Sequence, residues 1–386
     1  MNRDRLLVID DDAGFRSYVR RVSETVGYET LVTEDADDFK EKVRSWRPSV
    51  IILDLQMPKV DGVELLRALG ETKSAAKILI ASGFDEKVVE TAAHLAAERG
   101  LAIAGALKKP VRAAMLRDRL ERLREVETPL LASALAHAIR TGELLLEYQP
   151  KLDCKSGEIF GVEALVRWQH PTRGLIPPDR FIALAEQNGL IHDLTRWVAA
   201  TAIRQTADWR RSGLPIHLAL NISAVNLENI ELPEMIVAHC AEAGLAPDAV
   251  TLELTESAAM GNMAQGMDVL TRLRLKGMHL SIDDFGTGYS SLIQLQRLPF
   301  SEIKIDKSFV MKMGETRECR VLVEAVIGIA QRLGLFAVAE GVETAEALTA
   351  LTELGCDAAQ GYFISRPVRP EAIAAAVRNR VVVHSV

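Results

Sequence analysis

The sequence predicts an α/β protein in which a doubly wound, five-stranded parallel sheet is followed by a (β/α)8 barrel. Two observations lead to this prediction. Short apolar segments alternate with longer helical segments throughout the chain, which is typical of parallel strands connected by helices. The alternation also continues far beyond the first five strands, over about 250 further residues, and that is the usual length of one (β/α)8 barrel.

The elements of the first domain follow from its apolar runs. Strands are predicted at residues 5–9, 28–33, 50–54, 77–81 and 102–107. Helices are predicted near residues 13–26, 35–46, 61–70, 86–99 and 111–124. Pro129 disfavours a continuing helix at the residue before it. We therefore predict a first domain at 1–124, a linker at 125–132 and a barrel domain at 133–380.

Five apolar segments of the second domain each carry a carboxylate, amide or amine at the end of a predicted strand. They occupy residues 218–221, 250–253, 280–284, 302–304 and 336–340. Charged side chains are seldom buried unless they are paired or bound to metal. Functional groups of a barrel gather at the C-terminal ends of its strands. We expect these groups to share one site at the mouth of the barrel, where acidic side chains can hold divalent cations.

The composition excludes several classes of protein. Hydrophobic residues make up 48% of the chain, charged residues 26%, and the net charge is -7 without a basic run. No DNA-binding domain is predicted from such a charge distribution. The four cysteines form no CxxC pair, which disfavours structural zinc and fits a reducing compartment. No signal peptide and no membrane-spanning run is recognised, so we predict a cytoplasmic protein.

Polar residues follow the strands of the first domain, at the edge where an open parallel sheet binds ligands. Clustered carboxylates suit Mg²⁺, a lysine supplies a positive charge for a phosphoryl group, and an aspartate can accept that group. Taken alone, the acidic run at 10–12 could instead cap the next helix. The residues concerned are Asp10, Asp11, Asp12, Asp54, Ser82 and Lys109.

These residues, together with the 54–62 segment and Pro110, occur in the order found in the receiver domain of two-component response regulators, which residues 1–124 resemble. The resemblance implies a flavodoxin-like fold and phosphorylation of Asp54 by a cognate histidine kinase. It also implies Mg²⁺ at Asp11 and Asp54, with Asp12 as a further candidate ligand.

The resemblance further implies that Ser82 and Lys109 contact the phosphoryl group, and that the bond between Lys109 and Pro110 is cis. One position departs from the family pattern. Ala106 stands where many receivers carry a tyrosine or phenylalanine that switches rotamer. Signal output through an aromatic switch is therefore not expected.

Residues 133–380 closely resemble the EAL domain of cyclic di-GMP phosphodiesterases. The matching motifs lie at 163–165, 221–223, 253–256, 283–288, 304–306, 338–343 and 360–363. The resemblance implies a TIM-type barrel that hydrolyses cyclic di-GMP to linear pGpG with two Mg²⁺ or Mn²⁺ ions. The implied metal ligands are Glu163, Asn221, Glu253, Asp283 and Asp284.

Other roles in the barrel are implied by the same resemblance. Glu340, Lys304 and Glu163 take part in catalysis, with Lys304 orienting or deprotonating the water or stabilising developing charge. Glu256 anchors the glycine-rich loop at 283–288. A homo-oligomer is implied as well, because both kinds of domain often dimerise. The implied substrate contacts are Arg167, Gln360 and Glu343.

Several alternatives remain open from the sequence. Glu163 and Arg167 could form an internal ion pair, and Glu256 could cap a helix, as we predict for Asp306. The barrel could bind cyclic di-GMP without cleaving it, or Lys304 could form a Schiff base in another class of enzyme. Residues 321–330 are predicted to form a buried helix face, and 381–383 an edge strand, an oligomer contact or a frayed end. The residues predicted to serve packing are Trp168, Trp197 and Trp209.

Overall fold

The structure is a computed structural model that describes residues 4–57, 61–72, 74, 76–83, 86–124, 130–256, 258, 263–286, 295 and 297–378. The chain divides into two compact units, Met1–Thr128 and Pro129–Val386. Residues 125–129 of the predicted linker and the predicted segment 381–383 lie outside the described residues. The domain boundaries therefore stay a prediction.

The first unit contains the predicted five-stranded parallel sheet, with strand order β2-β1-β3-β4-β5. Its strands are β1 (Arg5–Ile9), β2 (Glu29–Thr33), β3 (Val50–Asp54), β4 (Lys77–Ser82) and β5 (Ala102–Lys108). Its helices are α1 (Ala13–Thr25), α2 (Ala36–Trp46), α3 (Gly62–Glu71), α4 (Glu86–Glu98) and α5 (Ala113–Arg124). Every element lies within about two residues of its predicted bounds, since strand and helix periodicities are well separated here.

Helices cover both faces of this sheet, and the composition of β1 shows why. Leu6 and Val8 belong to a buried cluster that includes residues of α1 and α5. Leu7 and Ile9 belong to a second cluster on the other face, with residues of α2, α3 and α4. Successive side chains of a strand point to opposite faces, so a strand covered on both sides is apolar throughout.

The second unit begins with helix α6 and the three consecutive strands β6, β7 and β8, and from β9 onward strands alternate with helices as predicted. Its strands are β6 (Leu144–Asp153), β7 (Ile159–His170), β8 (Gly174–Ile176), β9 (His217–Asn221), β10 (Val250–Thr255), β11 (His279–Phe285), β12 (Glu302–Ile305), β13 (Phe336–Ala339) and β14 (Ala358–Ala359). Its helices are α6 (Ala132–Thr141), α7 (Ile182–Gln187), α8 (Ile191–Arg211), α9 (Leu232–Ala243), α10 (Met263–Leu275), α11 (Lys307–Val310), α12 (Arg317–Leu333), α13 (Ala345–Glu353) and α14 (Pro370–Arg378).

Eight of these strands close into a barrel, which confirms the predicted fold. The order β6-β14-β13-β12-β11-β10-β9-β7 is completed by pairing of β6 with β7, and β8 extends β7 outside the ring. One strand departs from an all-parallel barrel: β6 runs antiparallel to both of its neighbours. The main apolar core lies between the strands and the surrounding helices.

Several packing predictions are confirmed. Trp168 is completely buried, Trp209 is 6% exposed, and Trp197 packs against the core. Helix α12 buries one face through Val323, Val326, Ile327 and Ala330, although Val321 and Leu322 lie outside that face and are exposed. None of the helices in the described part of the chain combines the length and apolar character that a membrane crossing requires.

Candidate functional sites

The strand register places polar side chains of the second unit at one end of the barrel. Asn221, the last residue of β9, is paired with Glu253 on β10, and Thr255 is paired with Asp283 on β11. Two further residues follow directly after their strands. The backbone N–H of Glu340 donates to Ile305 O at 3.1 Å, and that of Gln360 donates to Ala339 O at 2.8 Å. These hydrogen bonds to the neighbouring strands hold the backbones of Glu340 and Gln360 at the end of the barrel.

Lys304 is the centre of this group of polar side chains. It is 1% exposed, and its Nζ lies 2.6 Å from Glu340 Oε1, 2.8 Å from Glu253 Oε2 and 3.1 Å from Asp283 Oδ2. A fourth carboxylate oxygen, Glu163 Oε2, lies 3.7 Å away. Four of the acidic residues predicted from separate strands are therefore brought together around one ammonium group.

Glu163 extends this arrangement across the barrel. Its Oε1 accepts a hydrogen bond of 2.6 Å from Asn221 Nδ2, and its Oε2 accepts one of 2.7 Å from Gln360 Nε2. The same amide of Gln360 donates to Gln149 Oε1 at 3.0 Å. Gln360 Oε1 is buried and accepts no hydrogen bond from the described residues, which leaves an acceptor available to a ligand.

Burial and charge have opposite effects on these groups. Burial alone would lower the pKa of Lys304, but the surrounding carboxylates outweigh it and raise the pKa well above the ordinary range. Burial raises the pKa of Glu340 to about 8 despite the contact with Lys304. It also raises the pKa of Asp283. At Glu253, two lysines overcome the effect of burial and lower the pKa to about 2.

Three carboxylates at the mouth could hold a metal ion. Asp283, Asp284 and Glu340 offer oxygen atoms that all lie within 4.8 Å of one another. Asp284 adopts a left-handed backbone conformation with φ +56°, which is uncommon for a residue with a side chain. That turn breaks the strand alternation, so that the neighbouring carboxylates can join one cluster.

Glu256 contacts the start of the glycine-rich loop. Its Oε2 accepts a hydrogen bond of 3.1 Å from the backbone N–H of Gly286, which has φ +98°. Residues 287–294 of this loop, including Thr287 and Gly288 of the predicted motif, lie outside the described residues. Asp306 caps helix α11, as predicted, by accepting from the backbone N–H of Ser308 at 2.9 Å.

A cavity of about 360 Å³ opens beside these carboxylates. Glu343 is exposed and lies in its wall. Arg167 has a different partner from the one considered in the sequence, because its Nε donates to Glu147 Oε2 at 2.9 Å. Its predicted substrate contact stays a prediction. The lining residues include Glu163, Glu340, Gln360, Lys307 and Tyr362.

The wall of this cavity contains a very close backbone crossing. A Cβ atom on Gly361 would lie 2.2 Å from the backbone N and O atoms of Val342. The two segments are joined there, because Val342 N–H donates to Gln360 O at 3.1 Å and Phe363 N–H donates to Val342 O at 3.0 Å. Only glycine fits at this crossing.

Lys151 is a residue of this region that the sequence analysis missed. It lies on β6, is 3% exposed, and its Nζ lies 2.6 Å from Glu253 Oε1 and 3.2 Å from Glu302 Oε1. Its partners are distant in the sequence, so no local motif marks it. The available indication was its place in the alternation of β6, where it shares one face of the strand with Glu147 and Gln149.

The first unit also brings its predicted polar residues together. Lys109 Nζ lies 2.6 Å from Asp54 Oδ2 and 2.7 Å from Asp10 Oδ2. Asp54 is 3% exposed and Asp10 is completely buried. The two carboxylates outweigh the effect of burial on Lys109 and raise its pKa. The Lys109–Pro110 peptide bond is cis, as the resemblance implied.

The acidic run of the first unit separates into two environments. Asp10, Asp11 and Asp54 offer oxygen atoms within 4.8 Å of one another and could hold a metal ion. Asp12 instead caps helix α1, accepting from the backbone N–H groups of Gly14 at 2.7 Å and Phe15 at 3.2 Å. Asp10 is therefore a third candidate metal ligand, in addition to Asp11 and Asp54, which the sequence analysis had named.

The other residues predicted for the first site lie nearby in the sheet. Ser82 is buried at the end of β4, and its carbonyl accepts the backbone N–H of Lys109 at 3.0 Å. Ala106 on β5 is exposed. Pro58, which belongs to the motif at 54–62, lies outside the described residues.

Comparisons with known proteins agree with both halves of this description. The EAL domain model matches residues 132–367, and the response regulator receiver domain model matches residues 6–121. RocR of Pseudomonas aeruginosa, a cyclic di-GMP phosphodiesterase, is 35% identical over 330 residues, which cover 83% of this chain and 84% of RocR.

Other relatives match the barrel alone. NbdA of Pseudomonas aeruginosa, also a cyclic di-GMP phosphodiesterase, is 46% identical over 235 residues, covering 61% of this chain and 30% of NbdA. The chain spans less than a third of the length of three curated relatives that it matches.

A solved structure of the PaMucR phosphodiesterase in complex with c-di-GMP has a TM-score of 0.60 and 40% identity, covering 62% of this chain and 98% of that chain. Family model, relatives and solved structure thus agree on the barrel, while a separate family model accounts for the residues before it. The chain belongs to the EAL domain family, and a response regulator receiver domain precedes its EAL domain in the sequence.

Proposed function

We propose that the barrel hydrolyses one phosphodiester bond of cyclic di-GMP and releases linear pGpG. The observation that carries this proposal is the convergence of Glu163, Glu253, Asp283 and Glu340 on Lys304 beside an open cavity. A site that only bound the dinucleotide would not need so many buried acids. The phosphodiesterase relatives RocR and NbdA support the same substrate.

The donor atoms of the site fit Mg²⁺ or Mn²⁺. Hard divalent cations take carboxylate and amide oxygens, and the site offers both. We assign one ion to Glu163, Asn221, Glu253 and Asp283, and a second to Asp283, Asp284 and Glu340. When bound, such cations act as Lewis acids that activate water and stabilise charge on phosphoryl oxygens.

The protein side chains position the reactants and balance the charge. In hydrolysis, a water oxygen forms a bond to phosphorus while the bond from phosphorus to one ribose oxygen breaks, and that oxygen leaves with a proton. Lys304 carries an ammonium group, so we assign it to orienting water and stabilising developing negative charge. Glu340 lies 2.6 Å from Lys304 and can accept a proton from the attacking water.

Substrate recognition is assigned to residues around the same cavity. Gln360 has a buried carbonyl oxygen without a donor among the described residues, and Glu343 lies in the cavity wall. Arg167 carries a guanidinium group suited to a phosphate. We assign Glu256 to holding the glycine-rich loop through its hydrogen bond to Gly286.

The proposal is tested by incubating the full chain with cyclic di-GMP and Mg²⁺ or Mn²⁺, with EDTA as the control. We expect metal-dependent formation of pGpG, and Glu163→Ala or Asp283→Ala should reduce kcat by about a hundredfold or more. Binding of the dinucleotide without cleavage would instead make the barrel a binding module. Cleavage that persists in both variants would show that the acids are not the catalytic site.

For the first unit, we infer that Asp54 accepts a phosphoryl group from a cognate histidine kinase. The Asp54 carboxylate lies 2.6 Å from Lys109, and the neighbouring acids Asp10 and Asp11 can hold Mg²⁺ with it. Ser82 and Lys109 are assigned to contact with the phosphoryl oxygens. Phosphorylation would then tune hydrolysis by the barrel.

We further propose that the protein is a cytoplasmic homo-oligomer. The proposed location rests on the family of both domains, because a kinase partner and the dinucleotide substrate are both met inside the cell. The proposed oligomer rests on the same families, because both kinds of domain often dimerise. Light scattering coupled to size exclusion measures the mass of the particle in solution. A mass equal to that of one 42.4 kDa chain would contradict the oligomer.

A further inference from the structure

Lys151 is a buried cation on β6 that none of the assigned roles uses. It is 3% exposed, and its ion pairs join Glu253 Oε1 at 2.6 Å and Glu302 Oε1 at 3.2 Å. Glu253 is completely buried and Glu302 is 8% exposed. Charges buried this deeply must be compensated by partners, and Lys151 supplies one positive charge to two carboxylates.

The two oxygens of Glu253 are divided between two lysines. Oε1 accepts from Lys151 at 2.6 Å, and Oε2 accepts from Lys304 at 2.8 Å. Lys304 also contacts Asp283 and Glu340, so Oε2 is the oxygen that faces the candidate metal ligands. Oε1 is held on the side of Lys151 and Glu302.

The geometry points to a positioning role for Lys151: it anchors Oε1 so that Glu253 presents only Oε2 to a divalent cation. The last torsion of a glutamate is broad and roughly two-fold, so an unanchored carboxylate would rotate about it. A ligand fixed by a neighbouring group binds metal more tightly, because less freedom is lost on binding. This inference rests on the proposed function, since it assigns Glu253 to a metal.

The same contacts explain why Lys304 cannot replace Lys151 in this role. Lys304 is shared among four carboxylates, with contacts between 2.6 and 3.7 Å. An entering cation competes with Lys304 for those carboxylates. The pair between Lys151 and Glu253 Oε1 lies on the opposite side of the carboxylate and can persist while that exchange takes place.

The test is Mn²⁺ binding to the full chain, measured by calorimetry. We expect Lys151→Met to weaken Mn²⁺ affinity by about ten- to a hundredfold. In the hydrolysis assay, the Mn²⁺ concentration needed for activity should rise by a similar factor, while KM for cyclic di-GMP at saturating Mn²⁺ stays within about twofold. A general loss of structure would not raise the Mn²⁺ requirement while leaving KM for cyclic di-GMP nearly unchanged.

Two further variants make the result interpretable. Ser281→Ala is the matched control, because Ser281 is buried on β11, next to the strand that carries Glu253, and its hydroxyl has no hydrogen-bond partner among the described residues. It should bind Mn²⁺ as the wild type does. If Lys151→Met alone fails to fold in thermal melting, the double variant Lys151→Met with Glu302→Leu removes both partners and carries the test.

The possible outcomes separate the two proposals. Wild-type Mn²⁺ affinity in the folded Lys151→Met or double variant overturns the positioning role and leaves the proposed hydrolysis intact. If the wild-type chain binds Mn²⁺ but does not cleave cyclic di-GMP, the proposed function fails. A weakened affinity in Lys151→Met would then still support the positioning role.

Discussion

Glu340 is a side chain whose charge changes close to neutral pH. Burial raises its pKa to about 8, although Lys304 lies only 2.6 Å away. At neutral pH, the carboxyl group of the metal-free protein therefore holds a proton for much of the time. A cation that binds to this group must displace that proton, so metal affinity should rise as the pH increases through about 8.

We expect Mn²⁺ binding to release more protons at about pH 7 than at about pH 9, because above its pKa Glu340 is already ionised. Calorimetry in buffers with different ionisation enthalpies measures the number of protons released. Glu340→Gln should lower the release at pH 7, whereas Glu343→Gln, at an exposed position of the same cavity, should retain it. Equal release from the wild type and Glu340→Gln would contradict this origin.

The sequence predicts residues of the site that stand in recognisable motifs. Glu163, Asp283 and Lys304 each lie in such a motif, and the structure brings them together. Lys151 could not be predicted in this way, because it acts through Glu253, which is 102 positions away. The partner of Arg167 was also missed, since pairing with Glu147 depends on the register between β6 and β7 rather than on a motif.

At the scale of single elements, β11 connects core packing to the site. Its Leu280 is completely buried among the strands and helices, while Asp283 three residues later contacts Lys304. The strand thus contributes apolar side chains to one side and a carboxylate to the mouth. Loss of packing at Leu280 should weaken the barrel as a whole.

We expect Leu280→Ala to lower the free energy of unfolding of the barrel by about 2–5 kcal/mol, because a buried leucine is replaced by a cavity. Leu275→Ala makes the same chemical change at a position that is 81% exposed, and it should alter stability by no more than about 0.5 kcal/mol. Urea titration followed by circular dichroism compares the two variants. Similar midpoints for both would show that Leu280 is not part of the core.

The direction of β6 was the main property of an element that the sequence analysis did not predict. Local apolar patterns reveal where a strand lies but not which way it runs. A connection of only residues 154–158 joins β6 to β7, and such a short connection permits antiparallel pairing only. The short spacing between the two strands is visible in the sequence, but the general (β/α)8 pattern indicates a parallel strand.

At the scale of the whole molecule, the chain joins a candidate phosphoryl acceptor to a candidate hydrolase. Each unit has its own apolar core and its own acidic cluster. The proposed regulation of one unit by the other therefore has to be tested on the full chain. The proposed phosphoryl acceptor can be replaced without altering the residues assigned to hydrolysis.

We expect Asp54→Asn to retain basal hydrolysis of cyclic di-GMP and to lose any change in rate caused by a small-molecule phosphodonor. An asparagine amide cannot form the acyl phosphate that an aspartate carboxylate can form. Asp61→Asn is the matched control, because this exposed residue caps α3 and asparagine caps equally well. A response that survives in Asp54→Asn would place phosphorylation elsewhere.

The crossing of Gly361 and Val342 has a consequence for any attempt to re-engineer the specificity of this cavity. No side chain can be accommodated at position 361 without moving the Val342 backbone, which lies 2.2 Å from where a Cβ would stand. A saturation library at that codon should return glycine alone among active clones. Attempts to reshape the entrance must therefore vary other residues of the cavity wall and keep the close crossing of these two backbone segments.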